Sequence, residues 1–136
     1  MAALTANYDA ERKDGLLVSY KVAAGVVIYK GSMVGLDAAG YAVPAADVAS
    51  MAFVGVAYDK CDNAGGGAGD VAVRVWKDGT FKFARASASQ SDLGKTAFVV
   101  DDNTVALSSS HGVAAGTIVE VPSADAVRVL IRTAVK

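Results

Sequence analysis

The stretch that most constrains the fold is residues 71 to 83, VAVRVWKDGTFKF. Val71, Val73 and Val75 alternate with Ala72, Arg74 and Trp76, the period of a strand with one buried face. Thr80-Phe81-Lys82-Phe83 alternates again. Between the two runs, Asp78-Gly79 is a strong hairpin signal, because both central positions of a type I′ turn need positive φ. A period of two cannot present one face of a helix, so this segment commits the chain to sheet and predicts a β-hairpin.

The remaining punctuation is of the same kind. After an imperfectly alternating LLVSYKVAAG come GVVIYKG and SMVGLDAAGYAVPAA, with Asp37 to Gly40 as a turn and Pro44 ending a strand or marking a sheet edge. Residues 52 to 58 (AFVGVAY) read as a strand in which Gly55 marks a bulge or a close approach. Residues 59 to 70 (DKCDNAGGGAGD) read as a flexible loop. ARASASQSDLGK breaks the pattern and suits one short helical turn ended by Gly94. TAFVVDDNTVAL predicts two strands about an Asp101-Asp102-Asn103 turn, and TIVEV with AVRVLIRT predicts two more about Pro122 to Asp125. Turns at this spacing, without long helices, indicate an all-β sandwich or small barrel with at most one short helix near residues 89–94. No internal repeat is apparent and no linker divides the chain. Residues 21–136 therefore read as a single domain, and residues 1–20 as an arm that orders on a partner, or as a frayed terminus.

Composition narrows the function classes. The chain has 136 residues, enough to bury roughly two-thirds of its unfolded surface without disulfide or metal. Its 53% hydrophobic content is mostly Ala and Val, accompanied by 14 Gly. A net charge of −1, with its densest charge run (Asp9 to Asp14) of mixed sign, argues against nucleic acid. No apolar run approaches the ~18 residues of a membrane span, and the N-terminal residues lack the basic start and apolar block of a signal peptide. Cys61 is alone, which excludes an internal disulfide and suits folding in a reducing cytoplasm.

Each catalytic fragment fails a specific requirement. Gly94-Lys95-Thr96 lacks the first glycine of a phosphate loop, where Ser89 stands, and it runs into a strand-like segment. The run from Gly65 has Asp70 where a dinucleotide fingerprint needs its last glycine. His111 follows Ser108 to Ser110 directly, and neighbours on one loop seldom converge as nucleophile and base; it reads as an exposed loop histidine. Cys61 has Lys60 beside it, which would lower its thiol pKa modestly, but no histidine near in sequence. Asp59, Asp62 and Asp70, or Asp101 and Asp102, do not follow calcium-loop spacing. The expectation is a protein with no catalytic residues, no cofactor and no metal.

The run VRVWKDGTFKF, the Ser-rich stretch after it and GKTAFVVDDNTVAL together resemble the head-decoration (cement) proteins of tailed phages, lambda-type proteins among them. GVVIYKGSMVGLDAAGYAVPA and AFVGVAYD fit the same group, so the resemblance covers about residues 25 to 107. It implies a small barrel of β-tulip or SH3-like type and no enzymatic activity. It also implies a homotrimer at local three-fold axes, bound through the major capsid protein to the capsid exterior of the virion. Neither nucleic acid nor membrane would be a partner. The arm would lie on the capsid protein, with Tyr8, Leu16, Leu17 and Tyr20 as its anchors, since aromatic residues dominate interface energetics. Alternatives are another virion component, such as a head-fibre or tail base domain, or a small-ligand or glycan-binding barrel. The last would need clustered exposed aromatics, and Trp76, the only tryptophan, is expected in or beside the core.

Overall fold

A computed structural model describes residues 3, 5–7, 13 and 15–131. The strands are β1 (Leu17–Lys21), β2 (Val27–Ile28), β3 (Met33–Leu36), β4 (Ala42–Pro44), β5 (Ala52–Ala57) and β6 (Cys61–Asp62). They continue as β7 (Ala72–Trp76), β8 (Thr80–Ala84), β9 (Thr96–Val99), β10 (Val105–Ala106), β11 (Ala114–Ser123) and β12 (Ala126–Ile131). A 3₁₀ turn at Gln90–Asp92 is the short helix expected there, and Gly94 comes just after it at φ 81°. The protein is all-β, as its sequence predicts.

Among the described residues there are two five-stranded antiparallel sheets, ordered β1-β7-β5-β3-β4 and β8-β12-β11-β9-β10, and a two-stranded sheet of β2 and β6. Each five-stranded sheet curls until its ends meet in a single parallel bridge, Val22 to Ala42 in the first and Ala84 to Thr104 in the second. Taken in chain order, the two share one plan, with β1, β3, β4, β5 and β7 answered by β8, β9, β10, β11 and β12. The register repeats too. Val56 faces Trp76 and Ala57 faces Val75, as Thr117 faces Leu130 and Ile118 faces Val129. β7 and β12 both begin Ala-Val-Arg-Val. In each unit an aspartate closes the turn between the second and third sheet strands: Asp37 Oδ1 accepts the Ala39 amide and Asp101 Oδ1 the Asn103 amide.

One glycine per unit makes the curl possible. A Cβ on Gly55 would collide with the carbonyl oxygen of Trp76, and one on Gly116 with that of Leu130, the equivalent position. Gly55 also sits at φ 139° beside a register shift in β3–β5. That bulge moves the strand's parity. Phe53 and Val56 face the core shared by the two sheets, while Val54 and Ala57 face the interior of the first. The shared core also takes Phe83, Val99, Ile118, Val127 and Val129, and the first sheet's interior holds Val34, Val73 and Val75. Burying each such side chain contributes about 1.5–3 kcal/mol.

Several expectations are corrected. The runs on either side of Asp78-Gly79 are both strands, but they do not pair: β7 bonds to β1 and β5, and β8 to β12. Only Gly79 takes positive φ, so the turn is a step from one sheet to the other and not type I′. Alternation reports one buried face per strand and says nothing of which edge the strand will find. The 59–70 segment is not simply a loop, because β6 pairs with β2 and Asn63 anchors the glycine-rich residues after it. An internal repeat exists in the backbone although little of it survives in side chains. By contrast, the Asp37–Gly40 and Asp101–Asn103 turns, Pro44 on edge strand β4 and the Gly55 bulge all stand where the sequence puts them.

Candidate interaction surface

With Val73 and Val75 buried, the same alternation turns Ala72, Arg74 and Trp76 to the outside of β7. There the Trp76 and Tyr58 rings meet edge to face, with centroids 5.1 Å apart and planes at 74°. The Arg74 guanidinium lies 4.8 Å from the Tyr58 centroid and donates to Asp59 Oδ2 from Nη2 at 2.8 Å and Nε at 3.1 Å. That hydrogen bond first, then the aspartate's charge, raises the Arg74 pKa further and keeps it cationic. Lys60 continues the surface, its Nζ 5.4 Å from the Tyr29 ring centroid. Tyr29 is 60% exposed.

β1 borders this face. Leu17, Ser19 and Lys21 share it, opposite Trp76, Arg74 and Ala72. Leu16 passes its carbonyl to the Lys77 amide and Val22 takes the Val71 carbonyl, so the even-numbered residues bond inward to β7. The alternate backbone groups, at Leu17, Ser19 and Lys21, therefore line the outer edge of the strand. Of the residues expected as anchors, Tyr8 lies outside the described residues. Leu16 is 45% exposed and Leu17 is half-buried beside it. Tyr20 turns the other way: it packs on the first sheet's interior and its hydroxyl receives a 2.6 Å hydrogen bond from Lys77 Nζ. Leu17 to Tyr20 thus belong to a sheet strand. Tyr58 was not singled out by sequence, Asp59 only as a carboxylate weighed for a cation site, Arg74 only within the strand alternation and Trp76 only as a core neighbour; the β7 alternation itself was the signal that places Trp76 and Arg74 together outside.

The fragments weighed for chemistry are occupied structurally. His111 is 44% exposed at its side chain, and its Nδ1 lies 3.1 Å from the Asp47 carbonyl and 3.3 Å from Asp47 Oδ1. Asp47 also accepts the Ser110 and His111 amides, tying the loop after β4 to the loop before β11. Slight desolvation pushes the Asp47 carboxyl up, but these hydrogen bonds and His111 outweigh it and leave the pKa lowered. Ser109 Oγ accepts the Gly112 amide. Cys61 is buried, and burial first, then Asp59 and Asp62, pushes its thiol pKa up, the reverse of the expected influence of Lys60. Glycine-loop amides serve local acceptors: Gly66 donates to the Asn63 carbonyl and Gly67 to Asp70 Oδ2. Asn63 Nδ2, itself buried, donates to the Ala23 and Gly67 carbonyls. Gly94 donates to the Ile118 carbonyl, and Lys95 leads into strand β9. Among the described residues no three His, Cys, Asp or Glu side chains gather to hold a metal, and no helix is long and apolar enough to cross a membrane.

Comparison with protein-family models, with curated proteins and with solved structures finds no match.

Proposed function

We propose that the protein is a structural cement protein that binds the major capsid protein on the outside of a viral head, as a homotrimer, without catalysis. The observation that carries the reading is the Trp76–Tyr58–Arg74 cluster on the outer face of β7 and β5. Trp, Tyr and Arg are the residues that most often dominate binding energy. Beside them β1 is the outermost strand of its sheet, paired only with β7 among the described residues, and an extended segment can add along its outer edge short of the Val22–Ala42 bridge, with backbone hydrogen bonds supplying affinity. The resemblance of residues 25 to 107 to decoration proteins supplies the kind of partner. Synthesis in the host cytoplasm and residence on the capsid exterior go with it. The test is titration onto expanded, undecorated shells, followed by heating. Saturable binding at a fixed number of copies per shell, with a raised rupture temperature, is expected; absence of saturable binding sinks the reading.

The same outward-facing aromatics, Tyr58 exposed and Trp76 half-buried, favour a second reading, a glycan-binding module, since tyrosine and tryptophan faces stack on sugar rings. A glycan array giving a hit abolished by Trp76→Ala would select it over the first. Location of the protein in a map of the virion separates a cement protein from a head-fibre or tail base domain.

A further inference from the structure

A cavity of about 250 Å³ opens where the two units meet, lined by Tyr29, Lys30, Gly31 and Ser32 from the first and Asp102 and Asn103 from the second. Its walls are fixed to one another, because the Met33 amide donates to the Asp102 carbonyl at 2.8 Å and Gly31 is held to the Ala57 carbonyl at 2.9 Å. We propose that this cavity is a recognition pocket for an arginine side chain presented by the protein partner, its guanidinium stacked on Tyr29 and hydrogen-bonded to the Asp102 carboxylate.

Three observations converge on that ligand. Asp102 takes part in no ion pair among the described residues, although its neighbour Asp101 carries a second negative charge. Burial first, and Asp101 second, raise the Asp102 pKa, so the bare carboxylate is disfavoured and an incoming cation relieves it. Tyr29 supplies a large exposed ring whose interaction with Lys60 already shows that cations settle against it. A guanidinium can meet both demands, since its plane stacks on a ring while its edge donates a fork of hydrogen bonds to a carboxylate.

That the arginine belongs to a capsid protein rests on the function proposed above; the pocket's chemistry does not. Titration of the isotope-labelled whole protein with N-acetyl-arginine methylamide, followed by amide NMR, tests the pocket without any shell. Saturable shifts are expected at Gly31, Ser32 and Asn103, weakened at least fivefold by Asp102→Asn and by Tyr29→Ala. The corresponding lysine compound should bind more weakly. Both variants report their own folding through the dispersion of the remaining resonances. Shifts that do not saturate, that lie elsewhere, or that survive Asp102→Asn unchanged overturn the proposal. Loss of shell binding with an intact arginine response would instead count against the function.

Discussion

The two curled sheets share strand order, register, an aspartate turn and a strand glycine, yet they present different chemistry to solvent. Each carries an ion pair at the same place: Arg74 with Asp59 in the first, Arg128 with Glu120 in the second. Around the first stand Trp76 and Tyr58; the corresponding positions in the second are Leu130 and Val119. What both units keep is what the backbone needs. Where they part, one has aromatic rings outside, and that is where binding is proposed. They also fill the gap between their first two sheet strands differently. The first uses β2, paired to β6 and tied down by buried Asn63, and the second uses the 3₁₀ turn with its Arg85–Asp92 ion pair.

The largest effects should come from the shared glycines. Gly55→Ala and Gly116→Ala each drive a methyl into a carbonyl of the neighbouring strand, at a cost of about 3 kcal/mol or more in denaturant unfolding. Gly55 should suffer more, because its φ of 139° is also unfavourable for alanine. A well-tolerated Gly116→Ala would break the equivalence of the units.

Next come the fillers. Asp92→Ala leaves Arg85 mostly buried without its counter-ion, and should cost about 3 kcal/mol. Asn63→Ala strips a buried donor from the Ala23 and Gly67 carbonyls, and should cost about 2 kcal/mol. Unfolding curves rank the two.

On the binding side, Trp76→Ala should weaken shell binding by about 2 kcal/mol, roughly thirtyfold in Kd, whereas Leu130→Ala should leave it unchanged. Equal losses would mean that the difference between the units has no bearing on binding.

What was legible in the sequence depended on the range over which each signal acts. Asp37, Gly40, Pro44 and the Asp101 turn act through their own backbone, so their local chemistry could be read directly. The partner of β7 could not. Pairing with β1, more than fifty residues earlier, depends on edges that exist only once the sheet has curled, and Asp78-Gly79 looks the same whether the chain folds back or steps across. The repeat was hidden because strand order is kept by single residues at spaced positions, such as Gly55 and Gly116 or Asp37 and Asp101, leaving Ala-Val-Arg-Val as the one run alike. Trp76 and Arg74 were placed outside by alternation, but nothing local announced that Tyr58 would arrive between them.

The smallest effect is the pH response of two aspartates at the junction of the units. The folded pKa of Asp47 is depressed, so its contribution is fully present above the usual carboxylate range and is lost as pH falls through the folded value. Asp102 has the opposite sign. With its folded pKa raised, its contribution is present in acid and is lost as pH rises through that value. Asp47→Asn should therefore flatten the acid limb of the thermal-stability profile, and Asp102→Asn should modestly stabilise the protein at neutral pH. Melting curves across the acid range give both.

Hydrogen exchange of the free and shell-bound protein tests the central claim most directly. Binding through the first unit predicts new protection at residues 17–21 and 72–76, with 80–84 and 126–131 unchanged. Protection confined to the second unit, or spread equally over both, would contradict it.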